Sequence, residues 1–134
     1  MAKILETYPP IWDDIIKAGM KPKNCVFAYG AIIYNPFKIY IPEFLIKHEE
    51  IHEKQQGDNP RIWWQRYLED DKFRLEQEVE AYAAQYNFIV KDIKDRNRKF
   101  KILWEISRML ANPIYGEMTG QNEACLILKK KINK

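Results

Sequence analysis

Both histidines of this chain fall within five residues, His48-Glu49-Glu50-Ile51-His52. On an α-helix, positions i and i+4 lie one turn apart on the same face, so two imidazoles can hold a zinc ion while the adjacent Glu49 acts as a base. At about 100° per residue, Phe44, Leu45, His48, Ile51, His52 and Gln55 share one face. Lys47, Glu50, Glu53 and Lys54 fall elsewhere, and Glu49 sits at the flank of the stripe. The imidazoles therefore point from an apolar stripe towards the core. The competing reading is two core histidines satisfied by hydrogen bonds alone. Two neutral imidazoles buried one turn apart are hard to satisfy without a shared partner, and a metal ion supplies one.

The rest of the chain reads as a single domain, 1–134, of α+β class: mainly helical, with one small β-hairpin or sheet ahead of the motif helix. A short helix is expected over 11–19. The β-formers and aromatics of 26–34, followed by Asn35-Pro36 and the alternating 37–41, predict a hairpin of 26–34 against 37–41. Pro42 suits the first turn of a helix over 42–56, closed by Gly57-Asp58-Asn59-Pro60. Further helices are expected over 60–69, 71–95, 98–110 and 119–130, the last with Thr119 as its N-cap. Cys25 and Cys125 form no C-x-x-C pattern and read as reduced thiols.

Catalytic zinc takes three protein ligands and keeps a position for water. With no third histidine, the candidates are carboxylates: Asp58 in the turn, and Glu76, Glu78 and Glu80 in the long helix. The apolar stripe of that helix is expected through Leu75, Val79, Tyr82, Tyr86 and Ile93. Glu78 falls at its edge, whereas Glu76 and Glu80 project about 100° or more away from its centre, towards solvent. Glu78 is the glutamate that points where a buried metal would lie.

His48-Glu49-x-x-His52-x-x-Gln55, with 25 residues between His52 and the segment Glu78-Val79-Glu80-Ala81-Tyr82-Ala83-Ala84, resembles the gluzincin class of zinc metallopeptidases. In overall style the chain is also similar to short metallopeptidase-like proteins encoded by bacteriophages. The resemblance covers residues 26–85. It implies zinc held by His48, His52 and Glu78, and Glu49 as general base in peptide-bond hydrolysis. It also implies a strand ahead of the motif helix that forms the cleft rim and pairs with an extended peptide or protein substrate. One departure stands out: several gluzincin families place an Asp four residues after the ligand glutamate to support a histidine, and this chain has Tyr82.

A phenol must stabilise the oxyanion if no histidine remains to do so. Tyr115, in Pro113-Ile114-Tyr115-Gly116, is the candidate, with Tyr29 and Tyr82 as rivals. Phe27, Tyr29 and Trp64 are expected to line side-chain pockets. Two other readings compete with an enzyme. One is a non-catalytic zinc-stabilised binding domain. The other is a metal-free interaction module using Trp63, Trp64 and Tyr67 with the basic tail (Lys129, Lys130, Lys131, Lys134). A net charge of +3 and the lack of a recognised binding motif argue against a nucleic-acid partner. The amino-terminal Met1-Ala2-Lys3-Ile4-Leu5-Glu6 lacks the continuous apolar run of a signal peptide, and no stretch is long enough to span a bilayer, so a cytoplasmic protein is expected.

Overall fold

Two strand-forming segments and a glycine set the amino-terminal half. The computed structural model describes residues 3–133; Met1, Ala2 and Lys134, the ends of the amino-terminal stretch and the basic cluster, lie outside the described residues. In chain order the elements are β1 (Lys3–Leu5), α1 (Trp12–Lys17), β2 (Phe27–Tyr29), β3 (Ile32–Tyr34), α2 (Glu43–Gln56), α3 (Pro60–Glu69), α4 (Asp71–Val90), α5 (Arg96–Leu110), a 3₁₀ turn (Pro113–Tyr115) and α6 (Gln121–Ile132). The class is α+β and mainly helical, with one three-stranded sheet of order β1-β3-β2. No helix among the described residues is long and apolar enough to cross a membrane.

The hairpin differs from expectation. Its turn is Gly30-Ala31, so β2 pairs antiparallel with β3, Ala28 opposite Ile33, and 37–41 forms no strand. Gly30, at φ +61°, supplies the left-handed conformation that a two-residue hairpin turn requires. Asn35 ends β3 instead of turning the hairpin. Its side-chain amide donates to the Ile39 carbonyl (2.9 Å) and accepts from the Ile39 N–H (3.1 Å), holding 35–39 as a loop. The third strand, β1, was not anticipated; it pairs parallel to β3, Ile4 opposite Ile33.

Helix ends follow their caps. Asn59 and Asp70 accept from the Ile62 and Phe73 N–H groups, opening α3 and α4 where expected. α4 stops at Val90, short of 95, and Asp95 instead caps α5 through the Asn97 N–H, which moves the start of α5 ahead of Arg98. Thr119 is not a cap: its hydroxyl donates to the Gly120 carbonyl, and Gly120 precedes the first turn of α6.

Two apolar clusters result. Ile11, Ile15, Phe27, Tyr34, Trp63, Trp64 and Tyr67 join α1, the sheet and α3. Val79, Tyr82, Leu103, Ile106, Leu110, Ala124, Cys125 and Leu128 join α4, α5 and α6. α4 is therefore wedged between layers and buries more than one face. Val79 and Tyr82 are buried as expected, whereas Leu75 and Tyr86 lie at the margin and Ile93 falls beyond the helix. Glu78 is buried as expected, and two further polar side chains, Arg74 and Gln85, are buried without having been anticipated. On α2, Glu49 and Gln56 are buried beside the histidines, while Phe44, Leu45 and Ile51 are only half-buried, because β2 and α3 cover that side.

Gln56 fastens β2 to α2. Its amide donates to the Ala28 carbonyl (2.7 Å) and accepts from the Gly30 N–H (2.7 Å), and Trp64 Nε1 donates to the same carbonyl at 2.9 Å. Gln56→Leu strands the Gly30 N–H without its partner and should lower stability by about 1–3 kcal/mol in urea denaturation, with the m-value unchanged. An unaltered midpoint would show that the fastening contributes nothing.

Candidate metal centre

Where α2 packs on α4, four polar side chains are buried together. His48, Glu49 and His52 come from α2 and Glu78 from α4, each no more than 6% exposed. Glu78 Oε1 lies 3.2 Å from His48 Nε2 and 3.3 Å from His52 Nε2. One donor atom from each of these three residues falls within 4.8 Å of the others, so the group could hold a metal ion. Glu76 and Glu80 are exposed, as is Asp58 in the turn after α2. Helical phase therefore selected the glutamate that meets the histidines.

The histidine tautomers follow from their outer partners. The Gln55 amide nitrogen donates to the Gln77 carbonyl (3.0 Å) and to Glu80 Oε1 (2.9 Å), so its oxygen faces His52 Nδ1 at 2.8 Å. An oxygen there accepts, and Nδ1 must carry the hydrogen. His48 Nδ1 donates in the same manner to Gln85 Oε1 at 3.1 Å. Each neutral imidazole then turns a bare Nε2 lone pair towards the Glu78 carboxylate. Three electron-rich atoms in that arrangement require a cation among them. Gln85 and Gln55 thus supply the outer hydrogen bonds of the two imidazoles. Tyr82 instead lays its ring against His48, centroids 4.4 Å apart.

Without a metal the cation is a proton. Burial pushes the His52 imidazole down, but the charge and hydrogen bond of Glu78 more than offset this and raise its pKa to about 9. Burial likewise pushes Glu78 up, yet the His52 charge and the hydrogen bonds from both histidines hold its carboxyl well below the usual range. Two of the three donor separations also match those around a small divalent ion. Bonds of about 2.0–2.2 Å in a tetrahedron separate ligand atoms by about 3.3–3.5 Å. The observed separations of 3.2 and 3.3 Å are close to that.

Other groups orient or border the trio. Tyr67, on α3, donates to Glu78 Oε2 at 2.6 Å; burial, then the Glu78 charge, raise its pKa well above normal and keep it a donor. Glu49 Oε2 stands 3.8 Å from His48 Nε2, beside the trio without joining it. Burial raises the Glu49 pKa, against the lowering influence of His48 and His52. A cavity of about 70 Å³ opens on the site, bordered by Cys25, Phe27, Trp64, Ile114 and Tyr115 among others. Burial and the neighbouring Glu49 push the Cys25 thiol up to about 12, so it stays protonated. Both cysteines are free.

Tyr115 reaches this cavity, and its hydroxyl lies 2.6 Å from that of Tyr82. Tyr29 does not border it. Trp63, Trp64 and Tyr67 are buried, which removes them as a docking surface. Sequence reasoning missed Tyr67, Gln85 and Arg74. Gln85 stands two turns after Glu78, and Tyr67 one turn after Trp63, so the helix period carried both signals. The chain matches no protein-family model, no curated protein and no solved structure.

Ala in place of His48, His52 or Glu78 should abolish stoichiometric binding of zinc, measured by metal analysis, while Glu76→Ala and Glu80→Ala retain it. Gln55→Leu and Gln85→Leu should weaken binding by about 10–100-fold. Retention in Glu78→Ala with loss in Glu76→Ala would refute the ligand set. Metal uptake must also displace the His52 proton, which is held up to about pH 9. Affinity should therefore rise by about tenfold per pH unit from pH 7 towards 9, with one proton released per ion. Calorimetry in buffers of different ionisation enthalpy reads that proton; none released would contradict the protonated imidazole.

Proposed function

We propose that the chain is a zinc-dependent metallopeptidase of gluzincin type. The observation that carries this reading is the convergence of His48 Nε2, His52 Nε2 and Glu78 Oε1, both imidazoles tied through Nδ1, beside a carboxylate outside the trio. Two imidazoles and one carboxylate are a ligand set of catalytic zinc, whereas structural zinc prefers four ligands of Cys and His. A site that served only to tie helices together would have no use for Glu49.

His48, His52 and Glu78 would hold the ion, which when bound supplies Lewis acidity towards a water and a carbonyl. Glu49 takes the proton of the attacking water and delivers it to the leaving nitrogen. Its burial raises the carboxyl pKa, which suits a group that must accept and then return a proton near neutrality. Tyr115 donates to the developing oxyanion. Burial holds its pKa well above normal, so it remains a phenol, and the bond to Tyr82 fixes its oxygen.

An extended peptide would run beside the Val26-Phe27 end of β2, which borders the cavity. The outward groups of Ala28 and Gly30 are already taken by Gln56 and Trp64. Substrate would come in from an open cleft of about 730 Å³ bordered by Lys21, Lys23, Asp71 and Pro113; Met20 and Ile114 line both spaces and separate them.

A non-catalytic zinc-stabilised domain is the second reading, favoured by the size of the inner cavity. Its 70 Å³ admits a few waters, each needing about 10–15 Å³, and no peptide until the partition moves.

Glu49→Gln should retain zinc and lose about 10²–10⁴-fold in cleavage of an unfolded protein such as casein. Tyr115→Phe should lower kcat by about 10²–10³-fold with KM little changed. Zinc-loaded wild type without turnover on unfolded proteins, and unaltered stability in Glu49→Gln, would favour the second reading.

A further inference from the structure

The basic tail includes Lys129, and the fold gives this lysine cationic neighbours. The last turn of α6 lies beside the first turns of α5, so Lys129 joins Arg96 and Lys99 along one groove. None of these three has a carboxylate within 4.0 Å among the described residues.

Between the two helices runs a groove of about 400 Å³. Arg96, Lys99 and Lys129 stand along it with Tyr86, Phe100 and Leu103. Phe100 is 48% exposed, and Lys129 Nζ sits 5.4 Å from its ring centroid. We propose that this groove binds single-stranded nucleic acid. The phosphodiester backbone lies along the cations and one base stacks on Phe100.

The shape favours that partner over others. A groove between two packed helices admits a single strand but not a duplex. Membrane insertion needs a broad apolar face. Here Leu103 is buried, Tyr86 and Ile132 are half-buried, and Phe100 alone of the groove's apolar side chains is exposed. Cations beside a stacking ring match the sequence-tolerant recognition of unpaired bases, and DNA and RNA share that chemistry.

The test is fluorescence anisotropy of labelled 20-nucleotide single-stranded DNA and RNA with the full chain, beside duplex DNA, polyglutamate and anionic lipid vesicles. Single strands should bind best, and the tighter of the two identifies the natural polymer. Contact with about three phosphates predicts weakening by about tenfold to twentyfold between 50 and 200 mM salt. Arg96→Glu or Lys129→Glu should reduce affinity at least about tenfold, and Phe100→Ala about fivefold for single strands without changing polyglutamate binding. Lys54→Glu makes the same charge change on α2 and should leave binding intact. The proposal is overturned by no binding at 50 mM salt, by equal loss in Lys54→Glu, by Phe100→Ala without effect, or by preference for duplex, polyglutamate or vesicles.

Discussion

Three electron-rich atoms, two imidazole nitrogens and a carboxylate oxygen, are turned towards one another inside this protein. Such a group is stable only with a cation among them, and that condition governs how the surrounding helices meet. A buried carboxylate without partners would be strongly destabilising. Here Glu78 Oε1 faces both histidines, and Oε2 accepts from Tyr67. The contact between α2 and α4 therefore joins two apolar clusters across a polar seam. It ties the layer of sheet, α1 and α3 to the bundle of α4, α5 and α6.

The seam is built from helix period. Arg74, Glu78, Tyr82 and Gln85 follow one another at intervals of four, four and three, so they occupy a single face of α4. On α2, His48, His52 and Gln55 do the same. Each inner group is then aimed by an outer one: Gln85 for His48, Gln55 for His52, Tyr67 for Glu78 and Tyr82 for Tyr115. No described buried side-chain polar atom lacks a hydrogen-bond partner. Such completeness matters in a low-dielectric interior, where a partly satisfied network is worse than none.

What could be read in the sequence was what helical phase encodes. The pairing of His48 with His52 and the choice of Glu78 over Glu76 and Glu80 needed only the direction of side chains from two helices. The α+β class and most helix spans followed from caps and breakers, with Asn59 and Asp70 acting as their residue types suggest. The hairpin was misplaced because two turn signals compete, Gly30-Ala31 and Asn35-Pro36, and only the first has the positive φ of a two-residue turn. β1 could not be foreseen, because three residues pairing with a distant strand carry no local pattern. Gln85 and Tyr67 were in phase with the site, but their roles depend on which helix faces them. That is a tertiary fact.

Arg74 shows how the outer side of the site is fastened. It is buried, and its guanidinium donates to the carbonyls of Tyr67 (2.7 Å) and Tyr115 (2.9 Å), with Asp71 as its charged partner. It thereby joins the helix that carries Tyr67 to the turn that carries Tyr115. Gly116 completes that turn for two reasons. Its φ of +87° favours glycine, and a Cβ there would stand 3.0 Å from Arg74 Nη2. The turn is thus fastened to α4 largely by directional polar bonds. Its apolar members Ile114 and Tyr115 are only half-buried. A polar bond exchanged for water changes free energy by only about 0.5–1.5 kcal/mol, whereas exposing a full core side chain costs about 1.5–3 kcal/mol. The route proposed for substrate therefore runs beside a segment held mainly by polar bonds, while His48, His52 and Glu78 stay anchored in two helices.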